Sequence, residues 1–203
     1  EGFVHMETAV DQLKKGLTAA FIDKGVYSGE SYRPQLVLNN HKLGQKVLTS
    51  LETELNNCDE FFISVAFITM SGIIPLLQTL QELEADGVKG KIITTDYLSF
   101  SEPAALEKLN SFRNIELKFY CAGDRGFHTK GYIFRRGEEY RIIVGSANLT
   151  SNALTRNEEW NTKLVSMEQG EYTEGIIRRF HELWQDEHTL PYAEIADKYK
   201  GYY

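Results

Sequence analysis

Residues Phe61 to Ile68 read Phe-Phe-Ile-Ser-Val-Ala-Phe-Ile, an almost unbroken run of β-branched and aromatic side chains. Successive side chains of a strand face opposite sides of the sheet, so a run that is apolar at both parities needs cover on both faces. That is the habit of a buried strand in an α/β fold. The run is far too short to cross a bilayer, which takes about 20 apolar residues. A chain of 203 residues can enclose one sizeable core, and it reads as one domain.

Periodicity on either side of this run places the other elements. A helix is expected from about Glu7 to Ile22, then a turn-rich stretch with Gly29, Ser31 and Pro34, so residues 1–34 form an N-terminal helix and arm and 35–203 the domain proper. Leu43 to Leu55 has helical spacing, as do stretches near Ile73 to Glu84 and Pro103 to Leu109. With strands at Lys91 to Thr95 and Ile115 to Tyr120 they make a βαβαβ run. Strands at Phe127 to Phe134 and Tyr140 to Ser146 flank a turn over residues 135–139, Trp160 to Val165 adds another, and helices near Tyr172 to Trp184 and Tyr192 to Tyr199 close the chain.

The net charge of −7 argues against a protein that coats nucleic acid non-specifically, because phosphate neutralisation needs clustered Lys and Arg. The stretch from Arg113 to Arg141, with Lys118, Arg125, Lys130, Arg135 and Arg136, is mildly basic and reads equally well as a solvated sheet edge. Cys58 and Cys121 are too few for a disulfide framework and lack zinc-site spacing, so both are expected as free thiols. Early acids at Glu1, Glu7 and Asp11 do not suit a secretory signal, and a cytoplasmic location without membrane contact is expected.

Chemistry concentrates on the hairpin. Alternate strand residues share a face, which pairs His128 with Lys130 and Ser146 with Asn148. A turn centred on Gly137 would set His128 opposite Ser146 and Lys130 opposite Val144, so that an imidazole, a cation, a hydroxyl and an amide converge. Such a group suits a phosphate diester. An isolated His-x-Lys carries little information, but its combination with Gly145-Ser146-Ala147-Asn148 and then Glu158-Glu159 is much rarer by chance.

His128-Thr129-Lys130 followed by Gly145-Ser146-Ala147-Asn148 resembles the signature of the phospholipase D superfamily, His-x-Lys and then Gly-Ser-x-Asn. The resemblance covers roughly residues 35 to 190 and implies an α/β fold with a mixed β-sheet flanked by helices on both faces. It implies that His128 is a nucleophile forming a phosphohistidine, that Lys130 and Asn148 hold the non-bridging oxygens, and that Ser146 supports the pocket. Glu159 would orient a histidine, with Glu158 as the alternative. Many members carry an Asp five residues after the lysine, where this chain has Arg135. Restriction-endonuclease-like members and tyrosyl-DNA phosphodiesterase depart there too, which points to DNA rather than lipid. No metal or cofactor is implied.

Lipid-acting members usually carry two His-x-Lys motifs, and this chain has one. Two imidazoles are needed, one to attack phosphorus and one to protonate the leaving oxygen, so a homodimer completing the site is implied. Imidazole titrates near neutral pH, which lets two copies hold different protonation states. Phe61 to Thr69 and Asn157-Glu158-Glu159-Trp160-Asn161 are similar to phospholipase-D-like domains at the N-termini of bacterial superfamily II helicases. By that likeness the chain is a fragment, with ATP bound in a helicase region elsewhere.

Other constellations are weaker. His181 and His188, seven apart, would share a helical face, but a zincin needs its second histidine where Gln185 stands, so a solvated amphipathic helix is favoured. Cys121 is a conceivable thiol nucleophile, although Phe119 and Tyr120 make a buried strand end the better reading, and Thr94, Thr95 and Asp96 follow a strand where they could border a cleft.

Overall fold

A computed structural model describes residues 6–121 and 123–203. Among these the strands form one eight-stranded mixed sheet. They are β1 (Gln35–Val37), β2 (Glu60–Val65), β3 (Lys89–Thr95), β4 (Ile115–Tyr120), β5 (Lys130–Arg136), β6 (Glu139–Gly145), β7 (Asn161–Met167) and β8 (Thr189–Pro191). Their order is β1-β7-β6-β5-β2-β3-β4-β8. β2, β3 and β4 are mutually parallel, as expected of the βαβαβ run, and the remaining pairs are antiparallel.

The helices are α1 (Ala9–Phe21), α2 (Val47–Leu55), α3 (Met70–Ile73), α4 (Leu77–Ala85), α5 (Pro103–Asn110), α6 (Ser151–Thr155), α7 (Glu171–Gln185) and α8 (Tyr192–Tyr202). α1 starts at a capping box, in which Thr8 accepts from the Asp11 amide while the Asp11 carboxylate accepts from Thr8. The helix expected near Ile73 to Glu84 is broken in two by a 3₁₀ turn at Ile74–Leu76, where Pro75 cannot donate an amide hydrogen.

The central run is covered on both faces. Phe61, Ile63 and Val65 join Ile92, Phe119, Tyr132 and Ile143 in a core roofed by the helices other than α1 and α7. Phe62 points the other way, into a second core with Ile93, Ile133, Ile142 and the Phe180 and Trp184 side chains of α7. Phe62 meets Phe180 edge-to-face at 5.2 Å.

Arg141 does not behave as a solvated sheet-edge charge. It is 6% exposed under α2, with Nη2 3.0 Å from Glu139 Oε2, Nη1 2.9 Å from the Ser31 carbonyl and Nε 3.8 Å from Glu54 Oε2. Lys163 Nζ lies 2.5 Å from the other Glu54 oxygen. Tyr32 donates to Glu139 at 2.6 Å, so this buried network also fastens the arm to the β5–β6 hairpin.

Glu54 therefore balances two buried cations, and removing one member of such a group leaves uncompensated charge in a poorly solvated place. Glu54→Ala should lower unfolding free energy by roughly 3–5 kcal/mol in urea titration. An unchanged midpoint would show that the network carries no stability.

Candidate active site

The hairpin turns more tightly than expected, and this moves its register. Gly137 and Glu138 alone connect the strands, with Arg136 paired to Glu139 and Gly131 to Val144. Gly137 has φ +59° and Glu138 does not take positive φ, the pattern of a type II′ turn. Continued one step, this register aligns Lys130 with Gly145 and Thr129 with Ser146. The expected oppositions, His128 to Ser146 and Lys130 to Val144, are therefore wrong by one residue, a slip that exchanges faces.

The side chains converge by another route. His128 lies two residues before β5 and is exposed, whereas Lys130 is 6% exposed. The lysine turns back, placing Nζ 2.6 Å from His128 Nδ1 and 2.9 Å from the His128 carbonyl. Phe67 meets the imidazole edge-to-face at 6.1 Å. Thr129 between them bonds Ser64 through their hydroxyls at 2.6 Å and accepts from the Ala66 amide at 3.1 Å, fixing this segment to β2.

Next to them, Ser146 donates to the Glu159 carboxylate through a short hydrogen bond and accepts from the Trp160 amide at 3.1 Å. Glu159 is buried and Glu158 exposed, so Glu159 is the acid that enters this group, and the hydrogen bond it makes goes to Ser146 rather than to His128. Asn148 accepts from the Phe67 amide at 3.1 Å, leaving its NH₂ to donate elsewhere. The close approach depends on Gly145, where a Cβ would overlap the Trp160 carbonyl and lie 2.5 Å from Asn161.

Asn161 was not singled out from the sequence as a site residue. It is 1% exposed, accepts from the Ser146 and Ala147 amides at 3.0 and 3.1 Å, and donates to the Val37 carbonyl at 3.1 Å. Its position two residues after Glu159, at a strand start, was the available signal. Ser64, Thr129 and Phe67 were also missed.

Burial pushes the Lys130 ammonium below the ordinary lysine range, opposed by the nearby Glu159 carboxylate. Burial, and then Glu159, push the Tyr132 hydroxyl up, so it stays a neutral donor to the Ala147 carbonyl at 2.8 Å. A cavity of about 320 Å³ opens between α7 and the sheet, with Ser64, His128, Ile133, Ile176, Arg179 and Phe180 among its lining. A larger one of about 770 Å³ lies at the other end of the hairpin around Glu54 and Arg141, away from these groups. An imidazole, a cation, an amide donor and a carboxylate-bound hydroxyl thus meet at one end of the sheet, a set of groups whose chemistry suits a phosphate ester.

The loop after β3 borders the same end. Leu98 and Ser99 both have positive φ, +60° and +49°, which costs side-chain-bearing residues roughly 1–3 kcal/mol each. The loop is held by the Tyr199 hydroxyl, donating to the Ser101 carbonyl at 2.7 Å, and by Ser101 Oγ, accepting from the Ile68 amide at 3.1 Å. Thr94 and Thr95 are fully buried and bond the Ala66 and Tyr120 carbonyls, so they underlie the cleft rather than border it.

The competing histidines separate. α7 ends at Gln185, which leaves His188 beyond the helix with Nδ1 2.8 Å from Asp186, while His181 meets Phe62 and Phe180. They do not share a helical face. Among the described residues no three His, Cys, Asp or Glu side chains gather as a metal-holding group, and no helix is long and apolar enough to cross a membrane. Cys58 and Cys121 are free thiols.

A protein family described as cardiolipin synthase, PLD-like domain, matches residues 51–184. No curated protein matches the chain. Among solved structures, NucT from Helicobacter pylori superposes with a TM-score of 0.61 at 15% identity, covering 78% of this chain and 98% of that one. Nuc from Salmonella typhimurium, a phospholipase D family member, gives 0.58 at 18% identity, covering 79% and 99%. Yeast tyrosyl-DNA phosphodiesterase 1 gives 0.50 at 12% identity, covering 75% of this chain and 39% of that one. At these identities the structural likeness concerns the fold.

The depressed Lys130 pKa has a consequence of definite sign. A lysine loses charge as pH rises, and here it does so below the ordinary value of about 10.4. Binding of bis-p-nitrophenyl phosphate should weaken on an alkaline limb lying below that value. Lys130→Arg, whose guanidinium stays charged, should move the limb upward. A limb at the ordinary lysine value, or one unmoved in Lys130→Arg, would show that Lys130 does not hold the phosphate.

Proposed function

Since the chain belongs to the phospholipase-D-like family, we propose that it is a phosphodiesterase that cleaves DNA through a covalent phosphohistidine at His128, without a metal ion. The observation that carries this reading is the contact of Lys130 Nζ with His128 Nδ1 at 2.6 Å, beside the Ser146–Glu159 pair and Asn148. DNA is supported by Arg135 standing where lipid-acting relatives often have an acid, and by the DNA named in the yeast phosphodiesterase that shares the fold.

The chemistry balances with two imidazoles. His128 Nε2 attacks phosphorus and forms an N–P bond, while the ester P–O bond breaks and its oxygen takes a proton from a second imidazole. That second ring then accepts a proton from water, whose oxygen attacks phosphorus as the N–P bond breaks, releasing a phosphate monoester. Lys130 and the Asn148 NH₂ hold the non-bridging oxygens.

One chain offers one His-x-Lys, so the second imidazole is His128 of a second copy in a homodimer. In the free site a Lys130 ammonium donating to Nδ1 puts the proton of the neutral ring on Nε2, the wrong tautomer for attack. A bound phosphate would draw the lysine away, and a carboxylate must then take the Nδ1 proton as a hydrogen bond. Glu159, whose carboxylate bonds Ser146 in the free site, is assigned that orienting role, with Glu158 as the alternative. The likeness of residues 61–69 and 157–161 to helicase-associated domains supports placing this domain beside a helicase region, with residues 1–34 as an arm and 35–203 as the catalytic domain.

A phospholipid phosphodiesterase is the second reading, favoured by the apolar Ile133, Ile176 and Phe180 walls of the cavity beside His128. The discriminating experiment offers DNA, a phospholipid and bis-p-nitrophenyl phosphate in EDTA, with sedimentation in parallel. Hydrolysis of DNA and the small diester by a dimer is expected. Activity lost to EDTA and restored by magnesium or manganese contradicts metal independence, a fully active monomer contradicts the shared site, and a protein that binds DNA without hydrolysing any diester is a silent binding module.

A further inference from the structure

The elements that meet at the site end of the sheet lie in a row. In strand order β7, β6, β5, β2 and β3, the groups at this end are Trp160, Ser146, His128, Phe67 and the loop bearing Phe100. In that order His128 stands midway, and beyond the strand ends the elements close up, with Leu149 bridging to Ile68 and the loop after β3 returning so that the Glu102 amide donates to the Ile68 carbonyl. The two ends are aromatic and exposed, Trp160 at 72% and Phe100 at 56%.

Single exposed apolar side chains are ordinary, so exposure alone decides nothing. Two further observations set this pair apart. The Trp160 backbone is clasped on both sides by Ser146, its amide donating to Ser146 Oγ at 3.1 Å and its carbonyl accepting from the Ser146 amide at 3.2 Å, which fixes where this exposed residue leaves the chain next to Ser146. Phe100 is presented by the loop with two consecutive left-handed residues, fastened by Tyr199, and it rests edge-to-face on Phe67 at 5.0 Å, which in turn meets His128. Strained, well-anchored loops that display a ring beside a reactive side chain are where function concentrates.

Charge narrows the occupant. A chain of net charge −7 with its site cation buried is poorly made to grip a duplex by its phosphates. Rings flanking a polar centre instead fit a polymer that alternates phosphates with flat bases, and unpaired bases expose the faces that stack.

Resting on the phosphodiesterase reading above, we propose that Trp160 and Phe100 are two base-stacking platforms that hold an unpaired nucleic-acid strand across the site, one on either side of the scissile phosphate. Affinity then comes more from stacking than from counterion release, so its salt dependence is shallow.

The test measures dissociation constants, on the whole chain, for a labelled oligothymidylate, an abasic strand of the same length and a duplex. The wild type should favour the base-bearing strand over both others. Trp160→Ala and Phe100→Ala should each cut the preference over the abasic strand about tenfold, and the double variant about a hundredfold, as two platforms that each stack their own base would. Trp160→Phe should restore most of the preference and Trp160→Leu should not, since leucine is apolar without a π face. An unchanged preference, a Leu variant equal to the Phe variant, tighter binding of the duplex, or conversion of a dimer to a monomer by Trp160→Ala would overturn the proposal. Hydrolysis of bis-p-nitrophenyl phosphate, scored separately, reports whether the phosphodiesterase reading itself survives.

Discussion

One buried amide holds the site end of the sheet together. The Asn161 side chain reaches Val37 on one side and the amides of Ser146 and Ala147 on the other, joining the edge strand β1 to the turn that carries Ser146 and Asn148. Without it the buried Ala147 amide would lose this partner, whereas the Ser146 amide would keep the Trp160 carbonyl, and leaving a buried amide unpaired costs more than the hydrogen bond itself contributes. The short reach requires β6 and β7 to touch at Gly145. From that contact follow the Ser146–Glu159 bond, the clasp on Trp160 and the placement of Asn148 against Phe67.

Electrostatics build on this frame. Lys130 enters from the face that bears Tyr132 and Phe134, and burial there weakens its hold on its proton while Glu159 partly restores it. The outcome is a cation that is poorly solvated, close to an imidazole and in need of an anionic partner. On the proposed reading a phosphate diester would be that partner. The opposite end of the hairpin solves a similar problem differently, with Glu54 and Glu139 built in beside Arg141 and Lys163, so that its charges are paired within the chain even though Arg141 Nε has no hydrogen-bond partner there.

Much of the fold was legible because long periodic elements speak for themselves. Ile115 to Tyr120 is a strand at the expected residues, and the unalternating run from Phe61 indeed has a core on each face. Three-residue β1 and β8 and five-residue α6 are too short to show a period and were missed. The site residues were recognisable as a motif, yet their geometry was not, because a two-residue turn shifts every cross-strand partner of a longer one. Burial of Arg141 could not be read from composition, since it depends on Glu54 arriving from a helix far away in sequence. His188 failed for a related reason, α7 stopping three residues before it.

The account stands on His128 forming a bond to phosphorus, and that bond can be sought directly. A phosphoryl-labelled diester is mixed with the protein, quenched rapidly without acid and mapped by peptide mass. Label on His128 in the wild type, and none on the His128→Asn protein with turnover abolished, is the expected result. Label on Ser146 or Cys121, or near-normal turnover by His128→Asn, would contradict it.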